Sequence, residues 1–340
     1  MSDSSVLPPL DDLTLQQRLV DEGPVSRLVR VESIGSTTAE LLAAAEGCIS
    51  EEAFASAWPH FSVLTAEEQT GGRGRLGRAW SSPKGASLST SIVLRPHLPR
   101  ADWSWLTMAA ACALVEELQQ AYGVQAGLKW PNDVHIEGAK IAGLLAVMTP
   151  RADAVILGCG INVLLEREEL PTTTSTSLLL ALREVEAPVS QDGPWEDETG
   201  VSSAERGSEW SDLRTELLSG WLLRFHKLLA QSESAGGAGV IRDRVAGVLT
   251  TLGQYVRVEL PDRTAVRGTA VALEESGALT VKIIERRSAA LDPEAGGGEE
   301  LLWRPVAASY ESFSAGDVVH LRRADQGTWA AGCREICTDA

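Results

Sequence analysis

FSVLTAEEQTGGRGRLGRAWSSPKGASLSTSIVLR, residues 61–95, places a Gly/Arg loop between two strand-like runs. Residues 61–66 are apolar and rich in strand formers, and in residues 86–95 Ala, Leu, Thr and Ile alternate with serines, the period of an extended chain. Between them, residues 71–80 carry four glycines and Arg73, Arg75 and Arg78. Glycine lets backbone N–H groups approach a ligand closely, and each guanidinium is a planar, permanently charged donor for carboxylate or phosphate. Held between two apolar strands, such a loop reads as an anion-binding element of a sheet-based fold.

Residues 27–31 upstream read as a strand, and Ser36-Thr37-Thr38-Ala39-Glu40 opens a helix with Thr37 and Glu40 at capping-box spacing. Downstream, a helix is expected from Trp103 to Ala121, then strands over 124–136 and 140–147 joined by a Glu137-Gly138 turn. Residues 154–165 are apolar enough for a buried central strand. Helical periodicity returns with Leu213, Leu217, Trp221 and Leu228. Beyond Gly236-Gly237-Ala238-Gly239, short strands at close spacing predict a small barrel or sandwich. The expected division is a flexible tail over 1–24, a main domain over 25–247, a small β domain over 248–323 and a tail over 324–340. Residues 183–212, with nine acids against two arginines, read as a solvated insertion.

The 340 residues carry a net charge of −17, of which −14 lies in residues 1–24, 183–212 and 285–300. Residues 65–145 have a net charge of +1, with bases at Arg73, Arg75, Arg78, Lys129 and Lys140. Overall acidity argues against holding nucleic acid by net charge, while a locally cationic site suits a small anion. No secretory start and no apolar run of membrane-spanning length is visible. The five cysteines are odd in number and scattered, which fits reduced thiols in a cytoplasmic protein, and Cys333 and Cys337 have no histidine at metal-ligand spacing.

Two further stretches carry chemistry. In Leu128-Lys129-Trp130-Pro131-Asn132-Asp133, followed by Gly138-Ala139-Lys140-Ile141-Ala142-Gly143, two of only five lysines in a chain with 25 arginines fall eleven residues apart. An ammonium places a compact charge where a guanidinium fork would be too bulky. In Gly158-Cys159-Gly160-Ile161-Asn162-Val163, two glycines inside a strand imply a close neighbour, and the buried asparagine needs partners. Neither a Walker loop nor a dinucleotide-binding turn is present.

Taken in order, Ser36-Thr37-Thr38, Gln69 with the Gly/Arg loop, Lys129–Asp133 with Lys140, and Gly158–Val163 resemble the biotin–protein ligases over residues 27–323. The resemblance implies an α+β fold: a mixed sheet with flanking helices, like the catalytic domain of class II aminoacyl-tRNA synthetases, and a C-terminal Src-homology-3-like barrel. It implies ATP and biotin as substrates with Mg2+, formation of biotinyl-5′-AMP and pyrophosphate, and transfer to a lysine of a carrier domain in an acyl-CoA or pyruvate carboxylase. Ser36, Thr37, Thr38, Gln69, Gly72, Gly74 and Gly143 would surround biotin. Arg73 and Arg75 would fold over the adenylate, and Lys140 would hold the carboxylate. Arg75, Arg78, Trp80, Lys129, Asn132 and Asn162 would meet ATP, with Trp80 stacked on adenine and Asp133 near the metal. The short stretch before Ser36 implies a form without a DNA-binding domain, and the resemblance leaves monomer and homodimer open. A lipoate ligase of the same superfamily is the competing reading.

Overall fold

A computed structural model describes residues 7–186, 210, 212–260, 262–287, 303–314 and 317–320. The chain divides into two compact units, Met1–Leu128 with Asn132–Val248, and Lys129–Pro131 with Leu249–Ala340.

The first unit is built on a mixed eight-stranded sheet of β1 (Arg27–Ile34), β2 (Ser62–Arg73), β3 (Ala79–Ser82), β4 (Ser87–Leu94), β5 (Ala126–Lys129), β6 (Asp133–Ile136), β7 (Ala139–Met148) and β8 (Val155–Asn162). The order is β1-β2-β4-β8-β7-β6-β5, with β3 paired to β2. β1 and β2 are parallel, whereas β2–β4, β4–β8, β8–β7 and β7–β6 are antiparallel. Every residue of β4 is buried. Its hydroxyls therefore need partners inside the protein, and Thr90 finds one in Thr65 across the β2–β4 ladder at 2.9 Å.

Helices α2 (Thr37–Gly47), α3 (Glu51–Ala57), α4 (Leu106–Tyr122), α5 (Leu178–Glu186), α6 (Leu213–Ser234) and α7 (Gly239–Val248) complete the unit. The expected long helix is α4, entered through a 3-10 turn over Arg100–Trp105 and ended by Gly123 in the left-handed conformation. Most of its residues are buried, including Glu116 and Glu117, which are ion-paired with Arg244 and Arg224. The Trp221 indole of α6 donates to the Ala110 carbonyl of α4 at 2.9 Å. Buried carboxylates survive on an apolar helix because each has a guanidinium partner.

Three expectations are corrected. Residues 7–24 are not a tail: α1 (Asp12–Leu15) continues as a wider helical turn over Gln16–Asp21, and Leu10, Leu15 and Leu19 are buried. The acids face outward around these leucines, so a short amphipathic segment had the composition of a solvated one. The cap of α2 is Ser36, whose hydroxyl accepts from Ala39 N, while Thr37 is the first helical residue and turns its hydroxyl inward. The continuous strand expected over 124–136 is broken between β5 and β6 by the Trp130-Pro131-Asn132 segment. Residues 187–209 of the acidic insertion, residues 324–340, Cys333 and Cys337 lie outside the described residues. Cys48, Cys112 and Cys159 are free thiols, and burial pushes the last two up.

His60 ties the β2 approach to the end of β4, because its Nδ1 accepts from Arg95 N at 2.9 Å. Its ring and that of His226 pack on Phe61. Burial lowers both imidazoles below their ordinary value, with His226, His97 and Arg95 adding to the effect on His60 and Glu233 opposing it. The unfolded chain then binds protons more readily, so stability is complete above about pH 6.5 and is lost as pH falls through that value toward the depressed native pKa. Melting temperature is expected to drop between pH 7 and pH 5, less steeply in His60→Gln, whose amide oxygen can still accept from Arg95. Equal slopes in the two proteins would remove the imidazole from this role.

In the second unit the expected small barrel takes the form, among the described residues, of one antiparallel sheet. Its strands are β9 (Tyr255–Glu259), β10 (Ala265–Leu273), β11 (Leu279–Arg287), β12 (Trp303–Phe313) and β13 (Asp317–His320), in the order β12-β11-β10-β9-β13. Trp130 belongs here: it is 2% exposed, its backbone N–H meets Thr251 Oγ1 and its indole N–H meets the Gly277 carbonyl, both at 2.9 Å.

Candidate active site

One end of the site is a knot of hydroxyls. The start of α2 stands beside β2 and β4, where Gln69 Oε1 accepts from Thr37 N at 3.0 Å and from Thr37 Oγ1 at 3.3 Å. Ser91 Oγ of β4 lies 2.8 Å from Thr37 Oγ1 and 2.9 Å from Thr38 Oγ1. Gly158 makes this approach possible, because a Cβ there would fall 2.3 Å from Thr38 Oγ1. Five hydrogen-bonding groups thus converge where Gly158 leaves no side chain in the way.

The second element is Trp80 on β3. Its indole lies against Gly160 of β8, where a Cβ would fall 2.3 to 2.6 Å from three ring atoms. Its N–H donates to Ser82 Oγ at 3.0 Å, and Ser89 Oγ donates to the same oxygen at 2.6 Å. The Lys140 ammonium sits 5.8 Å from the ring centroid and donates to Asp133 Oδ1 at 2.7 Å. Asp133 and Gly143 are register partners on β6 and β7, which aims the carboxylate at the lysine. The backbone of Lys140 is gripped by a later segment: its N–H meets the Thr174 carbonyl at 2.8 Å, and Thr176 N meets its carbonyl at 2.9 Å. Asn162, 2% exposed, donates from Nδ2 to the Thr176 carbonyl at 3.1 Å.

The Gly/Arg loop is a β2–β3 hairpin closed by Gly74 N to the Arg78 carbonyl at 2.8 Å, with a 3-10 turn at Arg75–Gly77. Arg73 and Arg78 are exposed, while Arg75 Nη1 reaches Asn132 Oδ1 at 3.3 Å. Asn132 is held on β7 by its Nδ2 to the Leu144 carbonyl at 2.6 Å. A groove of about 570 Å³ runs past Gln69, Gly72, Arg73, Gly77, Trp80 and Ser82, a volume suited to a small molecule.

Comparison with known proteins covers the stretch that carries these residues. The biotin/lipoate A/B protein ligase family model matches residues 36–162, and the biotin protein ligase C-terminal domain model matches residues 251–321. The biotin–[acetyl-CoA-carboxylase] ligase of Mycobacterium tuberculosis is 32% identical over 320 residues, covering 93% of this chain and 97% of its own. The chain belongs to the biotin–protein ligase family. The bifunctional ligase/repressor BirA of Bacillus subtilis is 40% identical over 116 residues, 33% of this chain and 36% of that protein. The biotin protein ligase of Aquifex aeolicus, solved in complex with biotin and ATP, superimposes with a TM-score of 0.58 at 22% identity, covering 87% of this chain and 99% of that one. This likeness shows the shared fold.

Within this biotin–protein ligase the first unit brings together Thr37, Thr38, Gln69, Trp80, Lys140, Asp133 and Gly143, with Arg75 and Asn132 joined beside them. Ser36 caps α2, Asn162 holds the segment behind Lys140, and Lys129 falls in the second unit. Asp133, expected near a metal, is engaged by Lys140, and among the described residues no group of three or more His, Cys, Asp or Glu could hold an ion. Sequence reading missed Ser82, Ser89, Ser91, Thr174 and Thr176. The alternating serines of β4 were a usable signal, since hydroxyls on a fully buried strand must meet something polar.

Proposed function

We propose that this ligase activates biotin with Mg-ATP and passes it to a lysine of a carboxyl carrier domain. The observation that carries the reading is the placement of the Lys140 ammonium, between Asp133 and the Trp80 ring and next to a hydroxyl and amide pocket. A bicyclic urea has N–H donors and a carbonyl acceptor that such a pocket satisfies. Its carboxylate tail would then reach the ammonium, and Arg73, Arg75 and Arg78 of the hairpin would turn to the nucleotide phosphates.

A carboxylate oxygen attacks the α-phosphorus, the bond to the bridging oxygen breaks, and pyrophosphate leaves with its electron pair. The acceptor amine then attacks the acyl carbon, the carbon–oxygen bond to the phosphate breaks, AMP leaves with its electron pair, and the nitrogen gives up a proton to water. Both steps begin by bringing negative groups together or by creating one, so fixed cations lower the barrier by electrostatics and positioning. Mg2+ comes with the nucleotide, since it binds phosphate oxygens together with one or two carboxylates. Asp133 is the carboxylate of the cluster, and its main assignment is to orient Lys140.

The test is ATP–pyrophosphate exchange with biotin and with lipoate separately, followed by transfer to an acyl-CoA or pyruvate carboxylase carrier domain. Exchange with biotin and a labelled carrier is the expected result, and exchange with lipoate alone would overturn the reading. Arg73→Gly opens the hairpin rim and is expected to speed escape of the adenylate, with labelling of bystander lysines. Unchanged retention of the intermediate would exclude that role.

A further inference from the structure

Glu67 and Arg214 form an enclosed ion pair in the first unit, with both side chains 2% exposed and Arg214 Nη2 donating to Glu67 Oε2 at 2.5 Å. Neither belongs to the site above. The other carboxylate oxygen accepts from Leu10 N at 2.8 Å and from Arg30 Nη1 at 3.3 Å. Arg214 also donates to the Pro8 carbonyl at 3.0 Å and to the Ser87 carbonyl at 3.1 Å. Gly85 N meets the Glu67 carbonyl at 3.1 Å, and Leu7 lies over Gly85, where a Cβ would come within 2.8 Å of its own.

These partners come from the segment before α1, from β1, β2, the β3–β4 turn, β4 and α6. They converge on the piece of backbone that needs support. β3 has four residues, carries Trp80 and Ser82, and leans on β2 through Gln69↔Ser82, Gly72↔Trp80 and Arg73↔Ala79. Glu67 precedes Gln69 by two residues, and Gly85 and Ser87 receive the chain after it leaves β3. A buried ion pair is weak as a source of stability, because a well-packed apolar pair does as well. What a guanidinium adds is direction, since its rigid fork holds several acceptors at once in fixed geometry.

We propose that the Glu67–Arg214 pair and residues 7–10, which it ties down, are positioning elements for the ligase reaction: they fix the β3–β4 turn and through it hold Trp80 against Gly160 beside Lys140. This rests on the reading under the proposed function. Loosening the node lets the β3 wall breathe, so the bound intermediate escapes more often while its formation, which depends on Lys140 and the arginines, continues.

The test compares the full-length protein with Glu67→Gln/Arg214→Met, which removes both charges together, and with the milder Leu10→Ala. Ile241→Ala, a core truncation in α7, serves as the control for lost stability. Release of preformed biotinyl-AMP is expected to quicken about 10-fold in both node variants while the kcat of exchange stays within about two-fold. Hydrogen exchange in ligand-free protein is expected to quicken over residues 79–86 and not over α4. Wild-type release and protection in a folded node variant, or equal acceleration in the control at matched melting temperature, would overturn the proposal. Failure of the wild type to form an adenylate would instead sink the functional reading, with the hydrogen-exchange comparison still deciding whether the node holds the turn.

Discussion

Lys140→Gln is expected to lower biotin-dependent ATP–pyrophosphate exchange by about 10²–10³-fold, the scale on which removal of one preorganised charge-stabilising group is felt. The loss has two parts. The ammonium that would meet the incoming carboxylate is gone, and Asp133, relieved of its 2.7 Å partner, now presents a like charge to it. Lys140→Gln/Asp133→Asn removes the repulsion without restoring the attraction, so it should recover part of the KM for biotin and little of kcat. Lys140→Arg is expected to rescue poorly, because the lysine Nζ already lies against the bare backbone of Gly143, 3.2 Å from where a Cβ would stand, with the Trp80 ring on the same spot, and a guanidinium fork is bulkier than an ammonium. Exchange within a few-fold of wild type in Lys140→Gln would remove this residue from the chemistry.

Gly160→Ala should be nearly as damaging although it adds one methyl group. That methyl would fall 2.3 Å from the Trp80 ring, so the indole must leave β8 and give up its bond to Ser82. Overpacking of this kind costs about 1–3 kcal/mol of stability. The functional loss is larger than in a wall that merely opens from time to time, because here the indole is displaced in every molecule, and a lasting shift of about 1 Å can cost on the order of 10²-fold in rate. A double-mutant cycle isolates the cause: in a Trp80→Ala background, Gly160→Ala should add little further loss of kcat/KM. Additive losses would mean that Gly160 acts on something other than the indole.

The long helix and the small β domain were legible in local patterning, and the mixed sheet through the family resemblance that the ordered motifs carry. The candidate site was legible where the sequence is unusual, in Lys140 and in two glycines inside a strand, whereas Lys129, read together with Lys140, falls in the second unit. The site was obscure where ordinary residues do the work. Ser89 and Ser91 looked like the outward half of an alternating strand, yet every residue of β4 is buried and their hydroxyls meet Ser82, Thr37 and Thr38. The segment before β1 was misread because three leucines among acids carry little periodic signal, while their burial comes from long-range partners such as Glu67 and Thr215. Thr174 and Thr176 support Lys140 through backbone groups, which every residue type possesses.

The contacts of Thr37, Thr38 and Ser91 are hydroxyl to hydroxyl, and either oxygen of each pair can be the donor. The Ser91 and Thr38 protons are rotors, whereas Thr37 already donates to Gln69 Oε1 at 3.3 Å, so polarity is free at two of the three hydroxyls. Gln69 itself is fixed. Its Oε1 is committed to Thr37 N, a group that only donates, so Nε2 is left as a donor and lies where a Cβ on Gly72 would come within 2.4 Å of it. A guest can turn the hydroxyls of Thr38 and Ser91 to suit itself but must bring an acceptor to one amide. Ring analogues that exchange an N–H for oxygen or sulfur should therefore be tolerated far better than those that lose the carbonyl, and Gln69 is the single residue through which that preference can be rewritten.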